Sequence, residues 1–208
     1  MTAAEIEMLF TRSDGTYGFA RWGRPIAPIV FGVEDKSLPV IKGAFDAVVA
    51  LANHKMAETD PEIGINCMVF FFREWSELLY VPNMSRILPN LNLLVGQLEG
   101  KAANQYRVFR FDNAGGIKAA FVFLRMDQHL ADVPAEILAL SQVVQTILLW
   151  SDVAFGDRSP LAVVPGGATI LRPEIATLIR AAYLPSMPVV ASDPSHALRL
   201  YARLVPPQ

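Results

Sequence analysis

Between Val40 and Met56 the apolar residues Ile41, Phe45, Val48, Val49 and Ala52 recur at helical spacing, while Asp46, Asn53 and Lys55 fall off that stripe. The period predicts an amphipathic helix. Asn66 to Phe72 (NCMVFFF) is instead an unbroken apolar run. Such a run fits a strand covered on both faces, or a short buried helix. Residues 17–33 read as a strand, a Gly-Arg-Pro turn and a second apolar strand. Gln105 to Phe111 and Ile117 to Arg125 form a hairpin, because the Asp-Asn-Ala-Gly-Gly between them supplies glycine for positive φ.

Helices dominate the second half. Arg73 to Val81 predicts a short helix, and Asn83 caps another through Leu98, with Pro89 marking a kink or a late start. Val133 to Phe155 is the longest helical stretch, apolar nearly all round, which predicts a path through the core. Gly156 to Gly167 is a loop; Gly96 and Gly100 are helix stops. Pro173 opens a helix ending near Tyr183, and Pro194 to Leu204 forms the last one. Strands first, partly antiparallel, and helices later predict one α+β domain over residues 1–208. Its mixed sheet packs against helices, with a long buried helix over about 133–155.

Composition sharpens this in one respect. The chain is 52% hydrophobic and 18% charged, against about 25% charged for an average soluble domain. Either the core is thick, or an apolar surface closes in a homo-oligomer. The net charge of −2 and the scattered basic residues disfavour nucleic acid and anionic membranes as partners. No run of apolar residues is long enough for a transmembrane helix. The lone Cys67 has no internal disulfide partner, and the start of the chain lacks a signal-peptide pattern, so a cytoplasmic setting is expected.

Chemistry is sparse. His54, His129 and His196 lie on separate elements with no i, i+4 pair, which predicts no metal site. Cys67 sits in the apolar run, where it acts as a small hydrophobe rather than a nucleophile. The pairs Gly115-Gly116 and Gly166-Gly167 match neither a phosphate loop nor a dinucleotide fingerprint, so no cofactor is expected. Arg21, Trp22 and Arg24 either offer a cation and an indole at a strand end or flank a tight turn. The long helix carries a polar stripe. Ser141, Gln145 and Asp152 stand at i, i+4 and i+11, with Gln142 beside them, and these four are the candidate ligand-binding residues. Buried polar groups need partners, so the stripe lines a wet cavity or a hydrogen-bonded contact.

Three segments, FARWGRPIAPIVFG, LSQVVQTILLWSD and LRPEIATLIRAAYLPSMP, resemble a bacterial family of unknown function whose members are often exported or lipid-anchored. In the last segment Arg180, Tyr183 and Pro185 are the matching positions. That family is similar in layout to zincin-type metalloproteases: a mixed sheet, a helix opening with His-Glu, a loop and a terminal helix. Zincin chemistry needs His-Glu-x-x-His, two imidazoles for zinc and a glutamate to activate water. Ser141-Gln142-Val143-Val144-Gln145 stands in that place. The resemblance therefore implies a metal-free, non-catalytic binding or assembly domain whose cleft takes a peptide or protein partner. The alternative is a metal-independent enzyme acting on a small molecule through Asp152, Asp157, Arg158 and His129.

Overall fold

The computed structural model describes residues 1–204. Thr2 opens α1 (Ala3–Phe10) with a reciprocal cap: its hydroxyl accepts from the Glu5 N–H at 3.2 Å, and the Glu5 carboxylate accepts from the Thr2 N–H at 2.6 Å. Ile6 and Phe10, one turn apart, bury this helix's inner face. Then come β1 (Phe19–Ala20), β2 (Pro28–Phe31), α2 (Leu38–Leu51) and β3 (Cys67–Phe72). The short helix expected after β3 is a 3-10 turn over Trp75–Tyr80.

The helix expected from Asn83 to Leu98 is two helices, α3 (Met84–Ile87) and α4 (Leu91–Gly100). The residue before a proline is pushed out of the helical region, and Leu88, before Pro89, is extended at φ −117 and ψ 100. Gly96 lies inside α4 and stops nothing. The hairpin forms as expected, with β4 (Gln105–Phe111) and β5 (Ile117–Arg125) and Gly115 at φ 85 in the turn. It is followed by α5 (Gln128–Ala131) and α6 (Ala135–Ile147). The segment expected to be a plain loop contains β6 (Leu161–Val163), which pairs antiparallel with β7 (Thr169–Leu171). The chain then forms α7 (Pro173–Ala182), β8 (Val190–Ala191) and α8 (Ser195–Leu204).

The central sheet has the order β2-β3-β5-β4. Its β2–β3 and β3–β5 pairs are parallel and β4–β5 is antiparallel, and β1 pairs antiparallel with β8 elsewhere. This mixed sheet packed against helices is an α+β fold. Alternation along β5 sends Ala120, Val122 and Leu124 into the core shared with α1, α2, α6, α7 and α8. Ala119, Phe121 and Phe123 enter the opposite core, against α3, α4 and the 3-10 turn. Both faces of β3 and β5 are covered, which explains their unbroken apolar runs. Gly32, just past β2, has φ +82, and a Cβ there would lie 2.2 Å from the Phe71 carbonyl oxygen, so only glycine fits.

The long helix ends earlier than its apolarity suggests. It spans Ala135–Ile147, not 133–155, and Leu148 is extended at φ −133 and ψ 158. Leu148 forms an antiparallel bridge with Arg21 instead of another helical turn. Three side chains satisfy carbonyls of the final turns: Trp150 Nε1 donates to Val144 at 2.8 Å, Trp22 Nε1 to Thr146 at 2.9 Å and Tyr183 Oη to Ile147 at 2.7 Å. Helix ends leave carbonyls without intrahelical partners, and buried ones need such donors. No described helix is long and apolar enough to cross a membrane.

Candidate functional site

Strand β4 lies at one edge of the sheet. The Arg125 N–H donates to the Asn104 carbonyl at 2.8 Å, so Asn104, Tyr106, Val108 and Arg110 turn their main-chain groups toward β5. Alternation then turns those of Gln105, Arg107 and Phe109 to the open edge. A cavity of about 510 Å³ runs along it, touched by Gln105, Tyr106, Arg107 and Phe109 and walled by Leu149, Trp150 and Phe155. Gln105, Arg107 and Phe109 reach it from one face of the strand, with Tyr106 between them, so it lies beside the open edge on the α6 side. A second cavity of about 580 Å³ shares Gln105, Gln145, Phe155 and Gly156 with the first and passes along α6 beside β6. Together they form one groove between α6, the edge of β4 and the chain after α6. Each part falls in the size range of ligand sites, roughly 300–1,000 Å³.

Ser141, Gln142 and Gln145 all line the α6 part of this groove. The Gln145 amide donates to the Ser141 hydroxyl at 3.0 Å, which leaves both half-buried at the groove wall. Gln142 is buried and turns toward β4. Its carbonyl oxygen accepts from Arg107 Nη2, and its amide nitrogen donates to Gln105 Oε1 at 3.3 Å. Arg107 Nη2 also donates to Gln105 Oε1, at 2.8 Å. A Gln105–Arg107–Gln142 triad thus ties the edge strand to the helix.

Asp152 departs from the expected stripe. It lies five residues past the end of α6 and therefore shares no helical face with Ser141 and Gln145. Its carboxylate accepts from the Ser13 N–H at 2.9 Å and from the Ser13 hydroxyl. Those bonds hold its pKa below the usual carboxylate value. It fastens the segment after α6 to the turn after α1 and touches only the β4 part of the groove.

The four residues of the enzymatic alternative are not brought together. His129 and Asp157 line the α6 part of the groove, but Arg158 pairs with Glu174 at 2.9 Å and Asp152 with Ser13. Among the described residues no three His, Cys, Asp or Glu side chains are placed to hold a metal ion. Cys67 is fully buried, and desolvation pushes its thiol up to about 12, far from a nucleophilic thiolate. At the front of the chain, Trp22 is buried and holds α6, Arg21 lies over the Tyr183 ring at 5.2 Å, and Arg24 pairs with Asp60 and Glu62. These residues brace the fold rather than line the groove.

Sequence reasoning missed Gln105 and Arg107. The signal was present: in QYRVFRF the positions 105, 107 and 109 share one face, and two of them are polar next to Phe109. Comparison with protein-family models, with curated proteins and with solved structures gave no significant match. The fold and the groove define an α+β protein with an amide-lined channel beside an open sheet edge.

Proposed function

We propose that this chain is a non-catalytic binding domain that takes an extended peptide segment along the open edge of β4, with α6 as the opposite wall. The observation that carries this reading is the groove itself. It lies beside the edge where Gln105 and Arg107 leave main-chain donors and acceptors without a neighbouring strand, while the Phe109 carbonyl accepts from Arg110 Nη1 at 3.3 Å. A partner strand gains affinity from those main-chain groups and specificity from side-chain pockets. The walls bring amides and hydroxyls, Gln105, Gln142, Gln145 and Ser141, rather than an acid–base pair in mutual contact. The zincin-like resemblance belongs to the same proposal. A mixed sheet precedes α6, a loop and α7 follow it, and Ser141 to Gln145 stand where the metal motif would be.

The test is titration of ¹⁵N-labelled protein with a degenerate mixture of N-acetylated hexapeptides. Main-chain N–H signals of Gln105, Arg107 and Phe109 should shift in a saturable way. Gln145→Leu should weaken that binding. Its stability should stay within about 0.5 kcal/mol of the parent, because its described bond is a local one to Ser141. Shifts elsewhere with none on β4 count against the groove.

Self-association is proposed alongside. Met8, Tyr80, Leu93, Val163 and Leu198 are strongly exposed apolar side chains, and such surface favours contact between copies. Sedimentation at tens of micromolar should give a dimer or larger species, and a clean monomer would refute it. The buried free Cys67 suits a reducing compartment such as the cytoplasm.

A further inference from the structure

Arg107 lies under the groove in an unusual electrostatic state. Its side chain makes no ion pair among the described residues; its acceptors are the amide oxygens of Gln105 and Gln142, both on Nη2. Nε is sealed from solvent without an acceptor, and Nη1 has none among the described residues either. Burial draws the guanidinium down to about 10. A half-buried cation whose acceptors are all neutral amides gains from a counter-charge that arrives beside it. The other charged side chains on this stretch of groove are Arg12, itself without an ion pair, and Asp152, which is engaged by Ser13. Arg12 and Asp152 attract one another, so one net positive charge remains on this stretch of groove, that of Arg107.

We propose that Arg107 receives a carboxylate group of the groove's occupant, so that the ligand brings the anion the protein leaves out. Nη1 is the nitrogen left open to an occupant, a carboxylate oxygen accepts a charge-assisted bond from it while Gln105 and Gln142 keep Nη2, and one positive charge balances one negative charge. A phosphate dianion fits less well. It would keep a charge uncompensated here, and the N–H groups of Ile137 and Leu138, which line the groove near the start of α6, are already taken by the Pro134 carbonyl. The inference rests on the peptide-groove reading for the identity of the occupant, since the carboxylate belongs either to a peptide C-terminus or to a small free acid.

The experiment separates these. ¹⁵N-labelled protein is titrated with sodium acetate, with sodium chloride at matched ionic strength, and with hexapeptide mixtures carrying either a free or an amidated C-terminus. Acetate should shift the side-chain amides of Gln105 and Gln142 saturably, and chloride should not. Arg107→Met, and Arg107→Gln if the first folds poorly, should abolish the acetate response. The free-acid mixture should bind about tenfold or more tighter than the amide, if a peptide end supplies the group. Saturable acetate shifts with equal peptide binding support the carboxylate site but assign it to a small acid. No acetate response, with both mixtures binding alike, overturns the carboxylate site and leaves the peptide groove standing. No response to any probe overturns both.

Discussion

Ile147→Ala and Leu148→Ala should each destabilise the protein by roughly 2–5 kcal/mol, read as a fall in urea midpoint at unchanged slope. Ile147 is 1% exposed and Leu148 is fully buried, both in the core shared with α2 and α7. Truncation removes apolar surface from that core and leaves a cavity that close packing prevents from collapsing fully. The two sites also differ in kind, since Ile147 ends α6 and Leu148 begins the extended segment. If both variants melt within a few tenths of a kcal/mol of the parent, α6 is peripheral and the architecture given above is wrong.

A second large effect should appear with acid. His196, on α8, is buried; its Nδ1 lies 2.8 Å from the Tyr17 hydroxyl and its ring packs 4.3 Å from Phe19 on β1. Desolvation, helped by Arg199 and Arg203, lowers its pKa from 6.5 to about 4. The folded protein therefore holds the ring neutral in a range where the unfolded chain protonates it. That contribution is fully present above about pH 6.5 and is lost as pH falls toward 4. Each pKa unit is worth about 1.4 kcal/mol, so stability should drop by roughly 2–3 kcal/mol between pH 7 and pH 4.5. His196→Phe should flatten that slope. The carboxylates held below their ordinary values, Asp60, Asp127 and Asp152 among them, lose their contribution only at lower pH. An unchanged slope in the variant would place the acid sensitivity elsewhere.

The parts of the fold legible in the sequence were those where a local signal and the tertiary outcome agree. The hairpin of β4 and β5 announces itself through its glycines, α2 through its period, and α7 through Pro173 at its first position. The N-terminal helix was missed although Thr2 and Glu5 spell out its reciprocal cap. The end of α6 was beyond periodicity, because Ile147, Leu148, Leu149 and Trp150 stay apolar while the backbone passes from helix to extended chain. What stops the helix is a bridge to Arg21 and donors from Trp22 and Tyr183, none of which a window around residue 148 contains. Asp152 was placed on the stripe for the same reason. Ser141, Gln142 and Gln145 lay within the true helix and do line the groove. Arg107 escaped notice because its significance depends on what is absent around it, an acidic neighbour, which only the packed chain reveals.

The closure of α6 also bears on the order in which the chain can fold. The bond from Trp22 to Thr146 spans 124 positions and that from Tyr183 to Ile147 spans 36. Contacts so distant in sequence form late, because long loops must close before they repay the entropy of closure. A chain made from its N-terminus has the whole central sheet and all of α6 before Tyr183 is synthesised, yet the last turn of that helix still lacks one donor. Completion of α6 is thus tied to the arrival of α7 and of the tyrosine that follows it.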